Sequence, residues 1–264
     1  MTMKRLGLGG AAAILVVVAV LVVYLFFIRE DAQLDDTAPA IPADLTTRTA
    51  TTAAATTTAA ATGTTAAATA SAAATATATA SVAVPAGTTK WTIVPDRSEA
   101  AYFADEKLAR LPLPSTAKGT TKQLSGQFFL TATGIDTTVP SSFTVDLRNL
   151  KSDEPQRDRR VQDALGTSRF PNTTFVVTKV TNFPAALSAT EDKVFQMTGM
   201  LELHGVKKEV TWEVKIKGDG NVLTALATVT FPYDEFGIVA PSIGGFVTVN
   251  EDLTLQVSMV ATKG

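Results

Sequence analysis

The sequence contains no cysteine and one histidine, His204. The missing cysteine excludes a disulfide framework, a thiolate nucleophile, a cysteine-bound metal and the lipidated cysteine of a bacterial lipoprotein. A single histidine cannot form a metal site with a second histidine, and it is the one residue that could serve as the base of a Ser-His-Asp triad. We therefore expect no catalytic residue, no metal site and no cofactor.

The sequence also lacks an excess of basic residues, because 23 Lys and Arg stand against 25 Asp and Glu. Domains that bind nucleic acid normally carry a basic field, so no nucleic-acid partner is expected. Composition changes sharply along the chain: residues 1–30 are overwhelmingly apolar, residues 31–89 are poor in large hydrophobic side chains, and residues 90–264 hold nearly all the aromatic ones. Only this last part can bury a sizeable core.

A run without any charge follows Lys4 and Arg5 and extends over residues 6–28. At helical rise it covers the hydrocarbon core of a bilayer, about 30 Å. It exceeds the roughly 7–15 apolar residues of a cleaved signal peptide, which favours an uncleaved signal anchor. We expect residues 1–5 to be cytoplasmic, the chain to cross the cell membrane once, and everything from Arg29 onward to lie outside the cytoplasm.

Residues 29–89 are dominated by alternating stretches of Ala and Thr. Interspersed β-branched Thr and flanking prolines weaken the helix preference of Ala, and the segment has too few large apolar side chains for a core. The composition predicts a disordered tether that gives the folded domain reach. An O-glycosylated stalk is the other interpretation of such a Thr-rich segment.

Apolar and polar residues alternate in the C-terminal part. Val210, Trp212, Val214 and Ile216 share one face of a predicted strand, and Leu223–Phe231 repeats the pattern after the turn signal KGDGN. Six further strands are predicted at Gln127–Thr131, Phe143–Leu147, Thr173–Val180, Val194–Leu203, Gly245–Asn250 and Leu253–Val260. One short helix is predicted at Pro155–Leu165, ending before Gly166.

About eight strands, each with one apolar face, make residues 90–264 an all-β, antiparallel domain. Alternation alone is compatible with an up-and-down barrel and with a two-sheet sandwich.

Four motifs occur in order along this domain: KWTIVPDRSEAA at 90–101, SRFPNTTF at 168–175, GMLELHGVKKEV at 199–210, and FGI at 236–238 followed by residues 244–249. In combination they resemble the YceI-like family over essentially all of residues 90–264. The resemblance implies a lipocalin-like antiparallel β-barrel whose apolar interior holds a long-chain amphiphile, such as an isoprenoid, in the bacterial cell envelope. It implies no catalytic residue.

Apolar side chains on the predicted inward faces could line the ligand tunnel that the resemblance implies. The other interpretation is ordinary core packing, since aromatic side chains on alternating strands are buried in any case. The candidates are Phe128, Phe143, Val145, Phe175, Val177, Leu201, Trp212, Val214 and Phe231.

The charged candidates have weaker functional signals. Arg157, Arg159 and Arg160 could bind an acidic headgroup, but they alternate with acidic residues as on a solvated helix. His204 has no second histidine and is expected to be structural or at the surface. Family members often carry His-Ser early in the domain, where this sequence has Arg97-Ser98.

Two functions follow as hypotheses. The first is a membrane-anchored extracytoplasmic binding protein for a lipid-like or polyisoprenoid amphiphile, attached through residues 6–28. The second is a structural or adhesive cell-envelope domain whose core is filled by its own side chains. The sequence leaves homo-oligomerisation open.

Overall fold

The computed structural model describes residues 32–46, 84–108, 115–240 and 247–264. The predicted N-terminus (1–5) and the predicted anchor (6–28) lie outside these ranges. Among the helices inside them, none has the length and apolar character needed to cross a membrane.

Eleven β-strands form one antiparallel sheet in the described residues. They are β1 Thr89–Ile93, β2 Glu99–Leu108, β3 Ser115–Thr121, β4 Leu124–Thr131, β5 Gly134–Ile135, β6 Ser142–Asp146, β7 Asn172–Thr181, β8 Lys193–Leu203, β9 Val206–Asp219, β10 Val222–Pro232 and β11 Val247–Lys263.

The sheet closes into a ring. Its order is β1-β4-β6-β7-β8-β9-β10-β11, and β11 pairs back to β1 with Trp91 opposite Lys263. β1 pairs with the last residues of β11, whereas β2 pairs with the stretch from Val247 to Ser258, so these two strands continue one another along the wall. The protein is therefore an antiparallel β-barrel with eight strand positions, and the sandwich that alternation also allowed is excluded.

Alternation along β9 builds the barrel core as predicted. Val210, Trp212, Val214 and Ile216 are buried, while the side chains between them are exposed or half-buried. Because successive side chains of a strand point to opposite faces, every second residue faces the interior. The apolar stripe of each strand thus becomes the lining of the barrel.

A short α-helix, Pro155–Ala164, lies between β6 and β7 and is called the cap helix below. The Glu154 side chain accepts a hydrogen bond from the Gln156 N–H at 3.0 Å, and Pro155 occupies the first turn, where no N–H is needed. Gly166 has φ +56°, the left-handed conformation that commonly follows a helix C-terminus. The helix prediction is confirmed.

Several features of the sheet differ from the predicted strands, and the short strands β1 and β5 are among those not predicted. β2 and β3 were not predicted, because their inward residues are mostly Ala, Ser, Thr and Gly, which give a weak hydrophobic alternation. The described part of the predicted strand Gly245–Asn250, residues 247–250, and the predicted strand Leu253–Val260 are parts of one strand, β11. An irregularity between Val249 and Leu253 shifts its register with β2, which explains the break in the pattern.

Residues 32–46 lie against the outer wall of the barrel. The Asp35 N–H donates to Gln256 Oε1 at 3.0 Å. Near the other end of this segment, a single-turn helix at Ala43–Thr46 carries Asp44, which forms an ion pair with Arg97 at 2.9 Å.

The disordered tether over residues 29–89 stays a prediction, although residues 32–46 within it make defined contacts with the barrel. Their backbone groups bind side chains that come from distant barrel strands, so the composition of the segment alone does not reveal the contact. The prediction for residues 47–83 concerns a part of the chain outside the described residues.

Candidate functional site

An apolar cavity lies inside the barrel beneath the cap helix, and we call it the cap-side cavity. The space between its lining atoms is about 950 Å³, with the open solvent at its mouth included. Its walls come from seven strands, the cap helix and the 3-10 turns between strands. The side chains used below are Tyr102, Ala104, Phe143, Trp212, Leu253 and Val257.

The cap helix and the segment after β10 form the mouth of this cavity. Val161 and Ala164 of the helix, with Ile238, contribute apolar side chains to the lining. Val239 follows Ile238 and is 82% exposed, whereas Ile238 is buried. An exposed large apolar side chain thus stands beside the opening.

One ion pair belongs to the cavity lining. Arg157 Nε of the cap helix donates to Glu106 Oε1 of β2 at 3.2 Å, and both side chains are 13% exposed. Arg157 also pairs with Asp153. Burial alone would lower the pKa of Arg157, but the hydrogen bonds and charges of Glu106 and Asp153 outweigh it and raise that pKa. The guanidinium therefore stays charged at the rim of an apolar cavity.

Two polar atoms on lining side chains are buried without a hydrogen-bond partner among the residues described. They are the Tyr102 hydroxyl and the Trp212 Nε1–H. Burial raises the pKa of Tyr102 to about 12 and also raises that of Tyr233, so both phenols are neutral at physiological pH. Buried polar groups are nearly always paired in native proteins, so these are available donors for a polar group inside the cavity.

A second, smaller apolar cavity lies at the opposite end of the barrel, and we call it the distal cavity. The space between its lining atoms is about 500 Å³, with open solvent at its edge included. Its lining includes Trp91, Phe183, Ala225 and Met259. The barrel interior is therefore open near both ends.

An aromatic layer fills the interior between the two cavities. Phe143 and Phe175 have ring centroids 5.4 Å apart, and each lies 5.8 Å from the ring of Trp212. Trp212 and Phe175 are almost completely buried. Edge-on and tilted packing of this kind is the favoured geometry for aromatic rings, so the layer is a well-packed partition.

The structure divides the predicted tunnel-lining residues among three locations. Lining the cap-side cavity are Phe143, Val145, Leu201 and Trp212. Lining the distal cavity are Phe128 and Val214. Buried in the core but lining neither cavity are Phe175, Val177 and Phe231. All nine are interior, and alternation alone did not indicate which of them face open space.

Several cavity residues were missed from the sequence. Ala100, Tyr102 and Ala104 of β2 line the cap-side cavity at every second position, an alternation that small alanines conceal. Arg157 was considered only with its neighbours on the helix. The structure separates Arg157, which lines the cavity, from Arg159, which is exposed.

His204 lies in the turn between β8 and β9 with φ +53°. Its Nδ1 is 3.1 Å from the Phe236 carbonyl oxygen, and its ring packs edge-on against Phe170 at 5.3 Å between centroids. These contacts fix the turn beside the cap-side end of the barrel and place His204 outside the cavity lining.

A closed antiparallel β-barrel of this size belongs to a class whose interior is either filled by its own side chains or holds one slender ligand. A family model described as the YceI-like domain matches residues 91–261, and the chain belongs to this family. The UPF0312 protein of Pseudomonas putida is 31% identical over 180 residues, covering 64% of this chain and 85% of the relative. The UPF0312 protein of Pseudomonas fluorescens is 30% identical over 173 residues, covering 61% and 83%.

Two solved structures share the fold. BcnA of Burkholderia cenocepacia has a TM-score of 0.50 and 19% identity, covering 64% of this chain and 99% of that one. A polyisoprenoid binding domain from Saccharophagus degradans, implicated in plant cell wall breakdown, has a TM-score of 0.51 and 14% identity, covering 66% and 98%.

Proposed function

We propose that this protein is a membrane-anchored, extracytoplasmic binding protein that holds a lipid-like or polyisoprenoid amphiphile in its cap-side cavity. The observation that carries the proposal is an apolar cavity, open at one mouth, inside the closed barrel of a YceI-like protein. The polyisoprenoid binding domain among the structural neighbours supports the same ligand class.

Apolar burial supplies the driving force for such binding. Each buried CH2 group contributes about 0.8 kcal/mol before the cost of ordering the chain. A hydrocarbon tail inside the cap-side cavity would contact side chains such as Ala104, Phe143 and Val257. No catalytic residue or cofactor is needed for this role.

The polar end of the ligand would lie near Arg157. This guanidinium remains charged and lines the same cavity as Tyr102, whose hydroxyl has no hydrogen-bond partner in the described part of the chain. A hydroxyl, carbonyl or phosphate group could accept from these donors while the tail occupies the apolar depth. The cavity thus has polar donors at one place and apolar walls elsewhere, which matches the polar head and apolar tail of an amphiphile.

The membrane anchor in this proposal is the charge-free run 6–28, preceded by Lys4 and Arg5. Its length and the position of the two basic residues support a single span with the barrel outside the cytoplasm. A binding protein held at the membrane has access to lipid-like ligands that are almost insoluble in water.

Native mass spectrometry of the full chain, extracted in mild detergent, tests the proposal. Two variants form a matched pair: Ala104→Phe fills the cap-side cavity and Ala225→Phe fills the distal one. Overpacking costs each about 1–3 kcal/mol, so both are compared at equal folded fraction.

We expect a co-purifying long-chain amphiphile on the wild type and on Ala225→Phe, and its loss from Ala104→Phe. A barrel that is empty and rejects added isoprenols in all three proteins would instead support a structural cell-envelope domain. The aromatic layer, which already fills the middle of the core, is the observation that favours this second function.

A further inference from the structure

Residues 35–39 bind the outer wall of the barrel, and we call this segment the clasp. The bonds are regular in length, and three strands supply the barrel side chains. They are Gln256 Nε2 to the Asp35 carbonyl at 3.0 Å, Lys215 Nζ to the Asp36 carbonyl at 2.7 Å, Lys217 Nζ to the Ala38 carbonyl at 2.9 Å, and the Thr224 hydroxyl to the Pro39 carbonyl at 2.7 Å.

The clasp buries the wall that it covers. Thr224 and Leu226 point away from the barrel interior, yet they are 0% and 2% exposed. Gln256, on the neighbouring strand, is 3% exposed and exchanges two hydrogen bonds with Asp35. Ala38 is itself buried. Buried, mutually satisfied polar groups of this kind belong to a fixed contact rather than to a passing surface encounter.

The clasp also has a direction along the barrel. Asp35 binds Gln256, which lies between the residues of β11 that line the cap-side cavity, Leu255 and Val257. Pro39 binds Thr224, which pairs with Val260 nearer the distal end. The chain therefore descends from the cap-side half toward the distal half, and the residues before Asp35 approach from the cap side.

The length of chain before the clasp limits how far the barrel can stand from an anchor at residues 6–28. Ile28 precedes Asp35 by seven positions, and a fully extended chain spans about 3.3–3.6 Å per residue, or about 25 Å in all. Along β11, Gln256 is seven residues from Val249, the cavity-lining residue of this strand farthest toward the cap side, which is roughly 23 Å at most. The end of the anchor is thus within reach of this mouth.

We propose that the clasp holds the barrel with its cap-side mouth against the membrane surface, so that an amphiphile passes between bilayer and cavity without crossing water. The inference rests on the proposed anchor. The partner it names is a lipid bilayer, and the exposed Val239 beside the opening is the apolar group that would meet the lipid surface. In this arrangement the length of the Ala/Thr-rich stretch does not determine the distance between barrel and membrane, because the residues on both sides of 47–83 are attached to the barrel.

Site-specific labelling tests this orientation, and the cysteine-free sequence allows single labels. Val239→Cys marks the cap-side mouth and Asp219→Cys marks the distal end. Each full-length variant carries a fluorophore in vesicles of phosphatidylcholine and phosphatidylglycerol that contain a headgroup-nitroxide lipid. We expect quenching at position 239 and none at position 219.

Matched insertions distinguish the effect of the short chain before the clasp from the effect of the Ala/Thr-rich residues 47–83. About 20 flexible Gly and Ser residues, with a mean span of roughly 25 Å, are inserted either after Asp31 or after Gly63. We expect the first insertion to abolish quenching at position 239 and the second to leave it unchanged.

Two results would overturn the orientation and leave the anchor intact. The first is that only the insertion after Gly63 abolishes quenching. The second is equal quenching at positions 219 and 239 in protein that stays with the vesicles. A chain that separates from vesicles on flotation would overturn the anchor, and with it the orientation. Ligand binding is read independently by mass spectrometry, so failure of the binding proposal remains distinguishable from both.

Discussion

The ring of Trp212 meets the ring of Phe143 edge-on, with 5.8 Å between their centroids, and this contact closes the inner end of the cap-side cavity. The depth available to a ligand tail is therefore set by an aromatic layer and not by the length of the barrel. A tail longer than the cap-side cavity can enter the distal cavity only if this layer moves.

Phe143→Ala is expected to join the two cavities and increase the length of isoprenol that binds. The truncation removes one side of the layer and lowers the free energy of unfolding by about 3–5 kcal/mol. Native mass spectrometry with isoprenols of increasing length measures the change. Phe195→Ala, at the distal cavity, is the control and keeps the wild-type length limit. An unchanged limit in Phe143→Ala would show that the layer does not restrict the tail.

Arg157→Gln is expected to weaken binding of phosphorylated isoprenoids more than binding of neutral ones. The substitution removes the positive charge at the rim and disrupts the hydrogen bonds with Glu106, at a cost of about 1.5–3 kcal/mol in folding stability. Competition between a prenol and its phosphate, at equal folded fraction, measures the preference.

Arg159→Gln provides the control for the arginine prediction, because it removes an equal charge from an exposed position of the same helix. It should leave both binding and stability near wild type. Equal losses for the phosphate and the alcohol in Arg157→Gln would assign this residue a purely structural role.

Tyr102→Phe is expected to reduce the loss of folding stability that the wild type shows as the pH rises above about 10. Burial raises the pKa of Tyr102 to about 12, above the value of about 10 in the unfolded chain. Between these values the unfolded state loses its proton first, so folding stability falls as pH rises, by about 2–3 kcal/mol over the full interval.

Urea unfolding of wild type and Tyr102→Phe at pH 7 and at pH 11 measures the tyrosine effect. Because the Tyr102 hydroxyl lacks a partner in the described part of the chain, the variant should be at least as stable as wild type at pH 7. Parallel losses in the two proteins between the two pH values would contradict the assignment.

Thr224→Val is expected to loosen the clasp while leaving the barrel folded. The change removes the hydrogen bond to the Pro39 carbonyl at nearly constant volume and costs about 1 kcal/mol. Hydrogen exchange across residues 35–39 and limited proteolysis of the same segment measure the effect. Thr230→Val, on the exposed part of the same strand face, should leave both unchanged. Equal protection in the two variants would show that Thr224 does not hold the clasp.

The fold was largely predictable where one face of a strand is strongly apolar, as at Trp212 and its neighbours on β9. Closure into a barrel was not, because the pairing of Trp91 with Lys263 depends on contacts between the two ends of the domain. β2 escaped detection because Ala100 and Ala104 are too small to give a clear apolar stripe.

The candidate site was predictable only as a set of interior positions. Alternation places both Phe143 and Phe231 inside, but whether a side chain faces a cavity or another side chain depends on volumes that several strands contribute together. The clasp was hidden for a related reason. Asp35 and Pro39 are bound through their backbone groups, so their side-chain types carry little information about the contact.

The pairing of β1 with β11 also determines when the domain can fold. β11 completes the ring by joining β10 on one side and β1 and β2 on the other, and it is the last strand of the barrel in chain order. Pairings between such distant segments form slowly, because the loop-closure entropy must be overcome before the contacts are made. Until then β1 and β10 present open edges that can pair with other chains. A chain that is synthesised from the N-terminus to the C-terminus is therefore prone to aggregation until β11 has been made.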